Sequence, residues 1–130
     1  MQSVTTFLMF EGQAEAAMTL YTNVIKNSAI LDVMRYGPEE AGREGTVQLA
    51  RFSLDGQEFM AIDSNVHHAF TFTPATSLYV RCADEAEIDN VYAALSEGGQ
   101  VLMELAAYPF SPKFAWIADR FGVSWQLSLA

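Results

Sequence analysis

The chain carries the same pattern of apolar residues twice, 71 positions apart (17 to 88). Both copies have the i, i+3, i+4, i+7 spacing of one buried helix face, with a tyrosine at the third place. The positions are Ala17, Leu20, Tyr21 and Val24 in the first copy and Ile88, Val91, Tyr92 and Leu95 in the second. A short apolar segment typical of a strand precedes each helix, at residues 5–10 and 76–80. Such repetition constrains the fold strongly, because each copy has to form the same supersecondary unit.

The segments that follow each helix are also similar. Three strands are predicted after each helix, at 29–36, 46–54 and 57–63 and at 101–108, 114–118 and 124–129. Asp55-Gly56 between apolar runs indicates a two-residue hairpin with a type I′ turn. Asp84 and Glu87 are placed for an N-cap and a capping box. Loops are predicted at 37–45, where charges and breakers indicate mobility, and at 109–112. Each copy therefore has the order β-α-β-β-β, over about 4–63 and 76–129.

Composition limits the classes of partner and the compartment. The 130 residues are 51% hydrophobic, enough apolar material for one packed domain. A net charge of -9 disfavours nucleic acids and anionic membranes, because both require a basic surface. Cys82 is the only cysteine, so no intramolecular disulfide can form. This cysteine content is consistent with a reducing compartment. We find neither a signal-peptide pattern nor an apolar run of membrane-spanning length, and we expect a cytoplasmic protein.

Four segments resemble the vicinal-oxygen-chelate superfamily, which includes glyoxalase I, extradiol dioxygenases and bleomycin resistance proteins. They are residues 10–17 with Tyr21, 54–61, 70–72 and 116–126. The similarity is greatest to the PhnB-like branch, often labelled 3-demethylubiquinone-9 3-methyltransferase-like. It covers nearly the whole chain and implies one glyoxalase-like α+β domain over 1–130. In that fold, two tandem β-α-β-β-β modules form a curved mixed sheet around a cleft, and single-domain members commonly form homodimers.

Two other possibilities make different predictions. A ferredoxin-like dimeric barrel has the order β-α-β-β-α-β, with two strands between its helices, whereas the segments counted here number four. A conventional methyltransferase binds its adenosyl cofactor at a Gly-rich turn in a parallel α/β sheet. The eight glycines contain no G-x-G pattern, so we do not expect that chemistry.

Metal-using members of the superfamily take four ligands from the first and last strands of each module. Alignment on the shared glycines and tyrosine maps these positions to Thr6, Met60, Ser77 and Gln126. Divalent cations prefer imidazole, carboxylate or amide oxygen ligands, so threonine, methionine and serine suit them poorly. One glutamine cannot hold a metal alone. We therefore expect no metal and no other cofactor, although a divalent ion stays an alternative, and we expect these four residues to face the cleft.

Two further kinds of side chain are candidates for chemistry. His67 and His68 are the only histidines, and as neighbours in an extended chain they would point in opposite directions. We interpret them as solvated or locally hydrogen-bonded loop residues rather than as a displaced ligand pair. Asp63, at the end of a predicted strand, could act as an acid or base if it faces the cleft. A polar strand end is the simpler interpretation.

The aromatic residues are divided between pocket and core. Trp125 and Phe59 occupy equivalent places in the two copies, which indicates packing. Trp116 has no evident counterpart, which favours it as a residue of an apolar ligand pocket. The predicted pocket therefore consists of Thr6, Met60, Ser77, Gln126, Trp116 and Asp63.

The leading hypothesis is a PhnB-like or glyoxalase-like protein that binds an unidentified small molecule without a metal. The alternative is an enzyme. It would be either a metal-dependent glyoxalase, dioxygenase or resistance-type protein with recruited ligands, or an acid/base catalyst that uses Asp63.

Overall fold

The computed structural model describes all residues, 1–130, as two units, 1–68 and 69–130. The first unit contains β1 (Thr6–Phe10), α1 (Ala14–Val24), β2 (Ala29–Arg35), β3 (Val47–Leu54) and β4 (Gln57–Asp63). The second contains β5 (Ser77–Cys82), α2 (Glu85–Ser96), β6 (Gln100–Tyr108), β7 (Ser111–Ala118) and β8 (Ser124–Leu129). The order β-α-β-β-β in each unit is confirmed, and four strands between the helices exclude the ferredoxin-like alternative. Neither helix is long and apolar enough to cross a membrane.

The sheet of the first unit has the strand order β1-β4-β3-β2, with β1 parallel to β4 and the other neighbours antiparallel. Helix α1 contacts this sheet through its apolar face, where Met18 and Tyr21 are fully buried. The Tyr21 ring lies 6.5 Å from that of Phe52 on β3. Within this unit the opposite face of the sheet carries no helix, because α1 is the only helix of the unit.

The sheet of the second unit has the same pattern, in the order β5-β8-β7-β6 with β5 parallel to β8. Ile88, Val91 and Leu95 are the buried residues of α2, which contacts this sheet. The predicted cap is confirmed, because the Glu87 N–H donates to the Asp84 carboxylate at 2.8 Å. The Glu87 carboxylate in turn accepts from the N–H of the residue before the cap.

The turn at Asp55-Gly56 agrees with its prediction, whereas the loop predicted at 109–112 differs. Asp55 and Gly56 have φ of 49° and 82°, as the predicted type I′ turn requires. The loop predicted at 109–112 is too long, because Ser111 pairs with Tyr108 and already belongs to β7. Its hydroxyl is buried and donates to the Lys113 carbonyl. The strand begins three residues earlier than predicted, at 111 instead of 114.

The strand registers show which residues of the two units are equivalent. Phe7 is opposite Met60 in the first unit, and Tyr79 is opposite Gln126 in the second, so Met60 and Gln126 correspond as predicted. The predicted pairing of Thr6 with Ser77 is wrong by one residue. Three residues join β1 to α1 but only two join β5 to α2, so an alignment on the helices misplaces the preceding strand.

Candidate functional site

A polar cluster lies on the helix-free face of the second sheet. Trp125 and Leu127 of β8 are buried on the side that carries α2, so the alternating residues Ser124 and Gln126 face the other way. Gln126 lies opposite Tyr79 on one neighbouring strand and opposite Trp116 on the other. The amide is thus the centre of a row of side chains that crosses the sheet between two aromatic residues.

Hydrogen bonds join four side chains of this face, which we call the Ser77–Gln126 cluster (Ser77, Trp116, Ser124 and Gln126). The Trp116 indole Nε1–H donates to Ser124 Oγ at 2.9 Å. Ser124 Oγ lies 2.7 Å from Ser77 Oγ, and Gln126 Nε2 donates to Ser77 Oγ at 3.3 Å. Ser124 is only 1% exposed, whereas the other three are half-buried.

Three of the predicted pocket residues, Ser77, Trp116 and Gln126, therefore lie together. Ser124, which was not predicted, connects them. Ser124 links Ser77 to Trp116, and Gln126 completes the group. A signal for Ser124 was present, because it lies two residues before Gln126 on a predicted strand and so shares its face. The cluster contains no carboxylate and no imidazole, and its serine oxygens already contact each other. These residues do not fit the divalent metal of the superfamily.

The equivalent face of the first sheet combines apolar side chains with an arginine held in ion pairs. Met60 lies there between Phe7, which is 50% exposed, and Arg51. Arg51 is the cation of this row, and it is held by Asp32 at 2.6 Å and by Glu58 at 2.8 Å. The hydrogen bond to Asp32 raises the pKa of Arg51. Arg51 is also the structural counterpart of Trp116, since each lies opposite the equivalent residue of the last strand.

Thr6 does not belong with these residues. It alternates with Phe7 and shares the side of Leu8 and Phe10, which are buried on the face that carries α1. Its partner across the sheet is the buried Phe59. The register thus places Thr6 on the helix-covered face, because a shift of one residue along a strand exchanges the two faces of the sheet, and its place in a ligand pocket stays a prediction.

The Asp63 carboxylate accepts hydrogen bonds from three backbone N–H groups. It is 2% exposed, and its Oδ1 accepts from Gly12 N–H at 2.8 Å and from Ala14 N–H at 2.9 Å. Its Oδ2 accepts from Val47 N–H at 2.9 Å. The N-cap residue of α1, Gln13, makes no side-chain cap, so Asp63 supplies the acceptor from β4 instead. These contacts place its carboxylate at the start of α1, and its role in a ligand pocket stays a prediction.

The histidines are used in local contacts after β4. His67 Nδ1 lies 2.8 Å from the Glu11 carboxylate, and this hydrogen bond lowers the pKa of Glu11. His68 Nε2 lies 2.8 Å from Ser64 Oγ. No group of three or more His, Cys, Asp or Glu side chains in the structure could hold a metal ion. The single thiol, Cys82, is fully buried.

Two units of β-α-β-β-β order, each a mixed sheet with one helix-covered face, define the glyoxalase-type α+β fold of the vicinal-oxygen-chelate superfamily. The helix-free face of the second sheet adds a neutral polar cluster. Within this class the family can be named. The family model described as 3-demethylubiquinone-9 3-methyltransferase matches residues 2–128, and the chain belongs to that family.

Solved structures with the same fold span a wide range of identity. A PhnB protein from Bacillus cereus is 57% identical with a TM-score of 0.97, over 99% of this chain and 100% of that one. PA1353 from Pseudomonas aeruginosa is 25% identical with a TM-score of 0.79, over 99% and 98%. A glyoxalase/bleomycin resistance protein from Albidiferax ferrireducens T118 shares the fold at 13% identity and a TM-score of 0.61, over 98% and 99%. No protein with a curated description matches the chain.

The family description refers to a methyltransferase, and the fold can be compared with what a conventional adenosyl cofactor requires. That site needs a Gly-rich turn between a strand and a helix of a parallel sheet. Here only β1–β4 and β5–β8 are parallel. The turn before α1 contains the single glycine Gly12, and the turn before α2 contains none. The residues present do not fit that cofactor.

Proposed function

We propose that this chain is a PhnB-like small-molecule-binding protein that holds its ligand without a divalent metal, at the helix-free face of the second sheet. The observation that carries the proposal is the Ser77–Gln126 cluster. It combines half-exposed hydrogen-bonding groups with the aromatic side chains Trp116 and Tyr79 on one face. A few oriented polar groups beside aromatic surface are what small-molecule sites use for specificity and contact area.

The chemistry of the cluster supports binding without a metal. Gln126 turns its amide nitrogen toward Ser77, and Ser124 engages both Ser77 and Trp116. A cation would have to displace these contacts and would meet hydroxyl and amide groups without a compensating negative charge.

An enzyme remains the alternative proposal. A metal-dependent glyoxalase, dioxygenase or resistance-type activity would need recruited ligands, and acid/base catalysis would need Asp63. Three backbone N–H groups bind the Asp63 carboxylate, and these contacts argue against acid/base catalysis by Asp63. A group held in this way is positioned to stabilise α1 rather than to exchange protons with a ligand.

Metal analysis separates these proposals. We expect the purified full chain to contain substoichiometric metal, and we expect added Mn²⁺, Co²⁺, Ni²⁺ or Zn²⁺ to leave the tryptophan fluorescence unchanged. Gln126→Ala is the test variant. Ser128→Ala is its control, because it removes a hydroxyl from the same strand that bonds to Ser111 instead. Stoichiometric metal that is lost in Gln126→Ala and kept in Ser128→Ala would contradict the proposal.

The proposal extends to assembly and location. We propose a homodimer, because β2 is an edge strand on which Ile30, Leu31 and Met34 are 38%, 46% and 57% exposed. Unpaired edges with apolar side chains favour association with another copy. We also propose a cytoplasmic location, which the lone, fully buried thiol of Cys82 supports.

A further inference from the structure

The hydrogen bond between the Ser77 and Ser124 hydroxyls has one favourable donor. An indole nitrogen can only donate, so Trp116 occupies one lone pair of Ser124 Oγ. Ser124 is buried, and the remaining side chain in contact with its hydroxyl is Ser77. If Ser77 donated to Ser124, the Ser124 proton would have no acceptor, and a buried donor without an acceptor is unfavourable. The Ser124 O–H therefore donates to Ser77 Oγ.

This direction determines what Ser77 and Gln126 can offer to a ligand. Ser77 Oγ accepts from Ser124 and from Gln126 Nε2, which uses both of its lone pairs. Its own O–H is then left to donate outward. Gln126 has turned its amide nitrogen toward Ser77, so its carbonyl oxygen Oε1 is left to accept. The helix-free face thus presents one hydroxyl donor beside one carbonyl acceptor.

The side chains around this pair favour a flat molecule. Tyr79 and Trp116 are the cross-strand neighbours of Gln126, and Tyr79 is 55% exposed. Rings on both sides of an amide can pack against the plane of a conjugated or aromatic group. None of the four side chains of the Ser77–Gln126 cluster carries a charge.

We propose that this face takes an uncharged, flat ligand that presents a hydrogen-bond acceptor next to a donor, as a primary amide or a hydroxy-carbonyl group does. The inference rests on the proposed function and specifies its ligand class. The ligand acceptor meets the Ser77 O–H, and the ligand donor meets Gln126 Oε1. A carboxylate offers acceptors only, so it would place negative charge against the Gln126 carbonyl oxygen.

Benzamide and benzoate test this directly, because they have the same shape and differ in charge and in the donor. With ¹⁵N-labelled full chain at pH 7, we expect benzamide to shift the Trp116 Nε1–H and Gln126 amide resonances. The expected Kd is on the order of 1 mM, as befits so small a ligand. Benzoate should bind roughly tenfold more weakly. Trp116→Phe assigns the indole signal against that of Trp125.

Variants show which side chains cause the preference for benzamide over benzoate. In Gln126→Met and in Ser77→Ala, the two probes should bind within about twofold of each other. The control Ser128→Ala should keep the full preference, because its hydroxyl bonds to Ser111 on the same face. Should a variant not fold, the comparison of the two probes on the unaltered chain still decides.

The outcomes separate this inference from the proposed function. Benzoate binding as tightly as benzamide would overturn the ligand class while leaving small-molecule binding intact. A failure of benzamide to shift Trp116 would also overturn the ligand class. If a divalent cation shifted Trp116 in place of both probes, the proposed function would fail as well.

Discussion

Replacing Asp63 by asparagine is expected to destabilise the protein through the start of α1. The asparagine oxygen can keep the position of Oδ1, which accepts from Gly12 and Ala14 N–H. The side-chain amide nitrogen then faces the Val47 N–H, which Oδ2 accepts in the unaltered protein. Two donors meet at a place that is 2% exposed, and the negative charge near the helix N-terminus is lost.

The size of the effect follows from these two losses. A buried hydrogen bond to a charged group contributes about 1.5–3 kcal/mol, and a carboxylate near a helix N-terminus contributes about 0.3–1 kcal/mol. We therefore expect Asp63→Asn to lower the free energy of unfolding by about 3 kcal/mol. For a chain of this size, that corresponds to a decrease in Tm of roughly 10 °C.

Urea unfolding followed by circular dichroism at 222 nm measures the change. Asp119→Asn is a matched control, because Asp119 is also buried and accepts from Phe121 and Val123 N–H and from the Trp125 indole. It lies in the turn before β8 rather than at a helix start, so the charge–helix contribution should be absent. An unchanged urea midpoint for Asp63→Asn would refute this reasoning. Loss of ligand turnover at full stability would instead favour the acid/base alternative.

Three further outcomes are expected. His67→Ala should raise the pKa of Glu11 back toward its ordinary value of 4.5, measured by carboxyl ¹³C NMR. Because the folded pKa is the lower one, this contact stabilises the protein above the ordinary pKa and is lost as the pH falls through the lowered value. Leu31→Lys should convert the proposed homodimer to a monomer in sedimentation velocity, whereas a lysine at the exposed Val66, outside the sheet, should not. Cys82 should react with a thiol reagent roughly a thousandfold more slowly in the native than in the unfolded chain, because the thiol is fully buried.

The parts of the fold that could be predicted depend on short-range patterns. Helix periodicity placed α1 and α2 because each buries one face with a period that a few turns suffice to show. Asp55-Gly56 defined its turn because positive φ at both positions requires those residue types. In each case the determining interactions lie within one element or one turn.

Asp63 could not be placed in the same way. Its partners are 16, 49 and 51 residues away in the chain, so no local pattern connects them. The available signal was indirect: Gln13, at the N-cap position of α1, is a residue type that rarely caps a helix. A helix start without its own acceptor needs one from elsewhere in the fold, since its N–H groups are otherwise unsatisfied.

A comparison of the two units shows why the internal repeat predicts the fold better than the residues of the ligand site. On the helix-covered faces, the equivalent residues Phe59 and Trp125 are both buried, because both units have to pack a helix. On the helix-free faces no packing partner within the unit imposes a residue type. There Met60 is flanked by a phenylalanine and an arginine held in ion pairs, whereas its counterpart Gln126 belongs to a hydrogen-bonded cluster. The neutral groups of the proposed ligand site thus lie on the second sheet, and substitutions of Gln126 should alter ligand preference far more than substitutions of Met60.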